Sequence, residues 1–177
     1  MKASIILSTY NRPQALLTVL EALKLQTIQD FEVCIADDGS TKDTQQIIEN
    51  FQQNSAFPIL HAWQDDRGFR AASARNNAVR MSSGDYLLFL DGDCIPRPNW
   101  IQQHLTLSEK HAFVAGNRVL LDETLSHAIE THRIPFTDLF GLNVLRHKEH
   151  INRLIPLLKI PLGSMRKLKP TSWAKVR

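Results

Sequence analysis

The stretch YLLFLDGDCIP, residues 86–96, runs five apolar or aromatic residues into two carboxylates, Asp91 and Asp93, separated by Gly92. Alternate side chains of an extended strand point the same way, so both can face one point, and Gly92 leaves the backbone room to turn. Neighbouring carboxylates repel and raise each other's pKa unless a cation lies between them. Mg²⁺ or Mn²⁺, which favour oxygen ligands and complete their shell with water and phosphate, would resolve that repulsion. The competing reading is an ordinary acidic turn at a strand end.

Similar polar clusters follow other apolar runs. Ser8, Thr9, Tyr10, Asn11 and Arg12 follow the first run, Asp37 and Asp38 the second, and Asp65, Asp66 and Arg67 the third. Asp38 stands where a nucleotide-binding α/β unit often places an acid for ribose or base, although DDGS is also a common turn before a helix. Tyr10 offers a flat face for a base or serves as a structural wedge. Arg12 and Arg70 either neutralise phosphate or are solvated, and Arg75 and Arg80 are expected on a helix surface or in loop salt bridges. The seven His show no metal-ligand spacing, and Cys34 and Cys94 give neither a disulfide framework nor a zinc pattern.

These clusters need elements to bring them together. Apolar runs at 3–8, 31–36, 57–63 and 85–90 read as strands. Between them Leu16, Val19, Leu20 and Leu23 recur at helical spacing after Pro13, Ile47, Ile48 and Phe51 follow a cap at Ser40 or Thr41, and the Ala-rich stretch 70–82 reads as a third helix. A helix from Pro98 to about Lys110, a fifth strand at 112–121 and a helix over about 138–158 complete the expectation. Strand and helix alternating with short loops predict an α/β fold with a largely parallel, doubly wound sheet. In such a sheet ligands bind beyond the carboxyl ends of the strands, where all four clusters fall.

With 43% hydrophobic and 22% charged residues among 177, the composition is that of one globular unit and excludes collagenous, disordered and disulfide-rich classes. No apolar run approaches the roughly 18 residues that would span a bilayer, and the N-terminal apolar run is too short for a secretory signal, so a cytoplasmic location is expected. Charge is divided: residues 1–132 carry 11 Lys+Arg against 16 Asp+Glu, and residues 133–177 carry 10 against 2. Such a basic tail suits an anionic membrane surface, while its Leu and Ile equally suit packing against further protein, the reading preferred here. Nucleic acid, supported by charge alone, is not expected as a partner.

Four segments, IILSTYNRP, FEVCIADDGSTKDT, GFRAASARNNAV and GDYLLFLDGDCIPRPNW, occur in this order and resemble the inverting family 2 glycosyltransferases, which have the A-type nucleotide-diphospho-sugar transferase fold. The resemblance covers about residues 3–120. It implies metal-dependent transfer of a sugar from a nucleotide-diphosphate donor, expected to be a UDP-sugar, to a glycan or lipid-linked acceptor with inversion. Polysaccharide or lipopolysaccharide synthesis, with peripheral contact at the inner membrane face, is the setting it suggests. Carried over by residue, it implies that Ser8, Tyr10 and Arg12 contact the nucleotide and that Asp38 bonds the base. Arg70 then faces the diphosphate, and of the metal pair Asp91 lies toward the ribose or the Mn²⁺ or Mg²⁺ ion while Asp93 holds that ion directly. The family's general base, an Asp or Glu well beyond the metal pair, has no match here. The expectation is therefore a nucleotide-sugar-binding core at 1–121 and a basic, partly helical extension at 122–177, the protein being truncated at its carboxyl end. The alternative is a nucleotide-sugar-binding fragment without turnover.

Overall fold

The computed structural model describes residues 1–153. Four strands, β1 (Ala3–Thr9), β2 (Phe31–Asp37), β3 (Ile59–Trp63) and β4 (Tyr86–Asp91), form a wholly parallel sheet in the order β3-β2-β1-β4. Helices α1 (Pro13–Lys24), α2 (Lys42–Gln53) and α3 (Ala71–Met81) connect them, and α4 (Trp100–Leu107) follows the last strand. This is the α/β architecture expected, and each helix lies in the region that apolar spacing indicated.

Alternation along the strands sorts two cores. Ala3, Ile5, Leu7, Phe31, Val33, Ile35 and Leu88 face α1, α2 and α4, meeting Leu16, Val19, Leu20, Leu23, Ile48 and Ile101. Each of these larger side chains, fully buried, contributes about 1.5–3 kcal/mol. On the opposite face Ile6, Cys34, Ala36 and Ala62 meet Ala74 and Ala78 of α3. Small residues on both surfaces let α3 lie close to the sheet, which brings its first turns near the carboxyl ends of the strands.

Residues 112–120 form no strand, contrary to the expectation from their apolar residues; among the described residues only Leu121 pairs, with Ile151, as an isolated antiparallel bridge. The segment finds no ladder partner, and Gly116 in its middle weakens a strand. A short helix absent from the sequence expectation, α5 (Glu123–Glu130), begins at Asp122, whose carboxylate accepts the Leu125 N–H at 2.9 Å. Instead of the longer helix expected from about 138, 3₁₀ turns occupy Phe136–Leu139 and Gly141–His150; Phe140, in extended conformation, separates them, Gly141 (φ +63°) opens the second, and the part beyond 153 lies outside the described residues. Leu125, Ile129, Val144 and Ile151 form a small apolar cluster that also takes in Ile95, Val119 and Leu121, so it straddles the boundary expected at 121. No described helix is long and apolar enough to cross a membrane.

The amino ends of β1 and β2 are tied to the loop before β4 through Glu32. Its carboxylate accepts from Ser4 Oγ (2.7 Å), Lys2 Nζ (2.9 Å), the Ser83 N–H (2.5 Å) and Ser83 Oγ (2.8 Å). Burial works to raise this carboxyl, but the donors outweigh it and hold it at about 2. The folded pKa lies below the ordinary value of 4.5, so the stabilisation is complete above pH 4.5 and is lost as pH falls toward 2. We expect thermal unfolding followed from pH 6 to pH 2 to show this loss, up to about 3 kcal/mol. Glu32→Gln should be destabilised at pH 7 and flatter across that window; an unchanged pH profile in the variant would contradict this account.

Candidate functional site

Parallel pairing sets the strand ends level. Ser8 lies beside Asp91 and Thr9 beside Asp37, so the loops after β1, β2 and β4 leave the sheet together. The Gly92 N–H extends this pairing to the Ser8 carbonyl at 2.7 Å, and a Cβ on Gly92 would sit 2.6 Å from that oxygen. Glycine is needed there for close approach, and the turn closes with the Cys94 N–H on the Asp91 carbonyl at 2.9 Å.

That turn gathers Asp91, Asp93 and Cys94, whose ligand atoms lie within 4.8 Å of one another. Asp91 is heavily engaged: Oδ1 accepts from Arg75 (2.9 Å) and Ser8 Oγ (3.2 Å), and Oδ2 from Arg118 (3.3 Å). Arg75 also donates to Ser8 Oγ at 3.0 Å, which joins the ends of β1 and β4 to α3. Asp93 is exposed and forms no ion pair among the described residues; its neighbour is the Cys94 thiol at 3.5 Å. Burial first, then the charge of Asp93, pushes that thiol up to about 11, so at neutral pH it is a neutral group rather than a soft thiolate ligand. The two hard carboxylate donors fit Mg²⁺ or Mn²⁺.

The second part of the edge lies beyond β2 and β3. Asp37 is fully buried; burial works to raise it, yet hydrogen bonds from His61 (2.9 Å) and the Ser40 N–H (2.8 Å) hold it below the usual carboxylate range. Asp38, only 5% exposed, accepts from Gln64 Nε2 at Oδ1 (2.6 Å) and from the Arg70 N–H at Oδ2 (2.7 Å). Asn11, in the left-handed region at φ +49°, links the first two loops by accepting the Thr41 N–H (2.8 Å) and donating its own N–H to Ser40 Oγ (3.0 Å). Tyr10, half exposed, donates to Asp66 Oδ2 at 2.8 Å, and that bond raises its phenol further, keeping it neutral.

The structure therefore brings together Ser8, Asp91 and Asp93, and beside them Tyr10, Asp38 and Arg70. Two arginines are oriented otherwise than expected. Arg12 pairs with Glu130 of α5 at 2.6 Å, and the Arg70 guanidinium bonds the Asp65 carbonyl while its backbone N–H serves Asp38. A cavity of about 1340 Å³ opens beside β4; Arg12, Arg75, Asp91, Asp93, Arg118 and Glu130 are in its wall, and Tyr10, Asp38 and Arg70 are not. Arg75, expected on a helix surface or in a loop salt bridge, instead reaches Asp91, and Arg118 joins it from the segment expected to be a strand. Nothing in the spacing of either residue signalled this, because both contacts depend on tertiary approach.

Gly39 holds the second loop against the third. It has φ +98°, and a Cβ there would lie 2.6 Å from the Asp66 backbone. Gly39→Ala should cost at least about 2 kcal/mol by chemical denaturation, from left-handed strain plus displacement of Asp66. A change within about 0.5 kcal/mol would show that the two loops are not in this contact.

Comparison with known proteins agrees with this fold. The family model described as glycosyl transferase family 2 matches residues 4–166. A validoxylamine A glucosyltransferase of Streptomyces hygroscopicus subsp. jinggangensis is 37% identical over 120 residues, which are 67% of this chain and 27% of that protein. A chondroitin synthase of Escherichia coli is 37% identical over 105 residues, 59% of this chain and 15% of the relative. The protein thus spans about a quarter or less of these relatives' lengths. Among solved structures, S. aureus TarS 1–349 in complex with UDP-GlcNAc is similar with TM-score 0.51 and 28% identity, over 60% of this chain and 30% of that one.

Proposed function

The protein belongs to glycosyl transferase family 2, and on that premise we propose that its carboxyl edge binds a nucleoside-diphosphate sugar, with UDP as the nucleotide, together with Mn²⁺ or Mg²⁺. The observation that carries this reading is the contrast within the acidic turn: Asp91 is neutralised by two guanidinium groups, whereas Asp93, within 4.8 Å of it, forms no ion pair among the described residues. Asp93, with Asp91, would hold the cation. When bound there, the ion supplies Lewis-acid stabilisation of charge on the departing diphosphate.

The protein's own groups do the rest. Arg75 and Arg118, aimed at Asp91, offer N–H donors that diphosphate oxygens can share. Tyr10 gives the base a face to lie on, and Asp38 an acceptor for its imide N–H. Ser8 keeps Arg75 and Asp91 in register across two strands. Similarity to TarS, whose structure was determined with UDP-GlcNAc, supports UDP as the nucleotide. Relatives named chondroitin synthase and hyaluronan synthase support a glycan acceptor, and a lipid-linked glycan is included in that class. A cytoplasmic location is part of this reading; the basic residues of 133–177 suit peripheral contact with an anionic membrane face, and the Leu and Ile of that segment suit packing against further protein, which remains the preferred of the two. No residue is assigned as the general base: Glu130, on the cavity wall, is already paired with Arg12.

Calorimetric titration with UDP, GDP and dTDP, each with and without Mn²⁺, tests the reading. UDP should bind about tenfold or more tightly with the ion, and Asp93→Ala should abolish that gain. Binding of UDP that ignores Mn²⁺, or a gain that survives in the variant, would contradict it.

A further inference from the structure

Gln64, the residue after β3, sits where β2, β3 and α3 meet. Its backbone N–H donates to the Asp37 carbonyl at 3.2 Å. Its side-chain Nε2 donates to Asp38 Oδ1 at 2.6 Å and to the Arg70 carbonyl at 3.4 Å. Its Oε1 accepts from Ser73 Oγ at 3.0 Å and from Asn77 Nδ2 at 3.1 Å. The amide's two donors and two acceptor positions are thus all in use. That fixes which way round it lies. Turned over, its oxygen would face the Asp38 carboxylate and the Arg70 carbonyl, and its NH₂ group would face the Asn77 amide N–H.

The consequence falls on Asp38. One oxygen is held by Gln64 and the other by the Arg70 N–H, so the plane of the carboxylate is set before a ligand arrives. Each oxygen retains a lone pair. An acceptor oriented in advance binds a donor without the entropy cost of ordering it. Ser73 and Asn77, both on α3, fix the amide that fixes the carboxylate, so the helix over the sheet and the nucleotide edge form one hydrogen-bonded series.

We propose that Gln64 is a positioning residue for nucleobase recognition, holding the Asp38 carboxylate in the one orientation that accepts the imide N–H of uracil; this rests on the reading of Asp38 given above. Gln64 does not touch the base. It determines how well Asp38 discriminates bases rather than how tightly the diphosphate is held.

The discriminating ligand is N3-methyl-UDP, in which a methyl group replaces the imide hydrogen, so the donor is lost and Asp38 faces an apolar group instead. Calorimetric affinities for UDP and N3-methyl-UDP in saturating Mn²⁺ are compared for wild type, Gln64→Leu, Ser73→Ala/Asn77→Ala and Asp38→Ala, with thermal unfolding of each as the check on folding. Wild type should prefer UDP by about tenfold or more, the gain expected of a hydrogen bond to a charged group. Gln64→Leu should reduce the preference to about twofold or less, the double variant should be intermediate, and Asp38→Ala should have none. Affinity for N3-methyl-UDP should change little in the Gln64 and double variants, which a general loss of structure would not allow. Should Gln64→Leu not fold, the double variant on the outer turns of α3 decides alone. A full preference in the Gln64 and double variants together with its loss in Asp38→Ala overturns the role of Gln64 and leaves the base reading intact. Equal affinity of wild type for the two nucleotides overturns both.

Discussion

The structure depends on how a crowd of carboxylates is tolerated at one edge of a parallel sheet. Asp37, Asp38, Asp65, Asp66, Asp91 and Asp93 all lie at or just past the ends of β2, β3 and β4. Like charges so gathered repel, and each is stabilised by a hydrogen-bond donor or a cation beside it. Asp37 has His61 and Ser40, Asp38 has Gln64 and the Arg70 N–H, Asp65 has Arg67, Asp66 has Tyr10 and the Gly68 N–H, and Asp91 has Arg75 and Arg118. Asp93 has a neutral thiol. The compensation is complete at every position but one, and that position adjoins the most heavily paired carboxylate.

The fold supplies this arrangement through backbone pairing rather than side-chain chance. Parallel register places Ser8 against Asp91 and Thr9 against Asp37, and the close seat of α3, permitted by Ala74 and Ala78, carries Arg75 over the same edge. At the far end of the sheet Glu32 is satisfied by fixed donors and pairs the first strands to the last. One end is closed by the protein's own groups, and the other is left to receive a ligand.

Much of this was legible in the amino-acid sequence because it follows from local periodicity. The strands ending at Thr9, Asp37, Trp63 and Asp91 stand out as short apolar runs bounded by turn residues, and α1 and α2 by apolar residues at helical spacing. Asp91 and Asp93 were expected to be near each other along an extended backbone; they are near, but Asp93 lies past the strand end, in the turn that the Cys94 N–H closes on the Asp91 carbonyl. What could not be read depends on approach in three dimensions. Arg75 read as a helix-surface or loop salt-bridge residue, and its particular partner, Asp91, is set by how closely α3 lies on the sheet. Arg12, expected at the nucleotide, meets Glu130, more than a hundred residues away on a short helix not among the expected elements, although Leu125, Ala128 and Ile129 stand at helical spacing after the Asp122 cap. The apolar residues of 112–121 suggested a strand, but apolar character cannot supply a ladder partner, and among the described residues only Leu121 finds one, as an isolated bridge.

The most direct test of the account is diffraction from crystals of the protein grown with UDP and Mn²⁺, with data collected to reveal the ion by its anomalous scattering. The account predicts the ion at coordination distance, about 2 Å, from an Asp93 carboxylate oxygen and bridging to the diphosphate, with uracil between Tyr10 and Asp38. Manganese seated away from Asp93, or a nucleotide whose base lies clear of Tyr10 and Asp38, would contradict it.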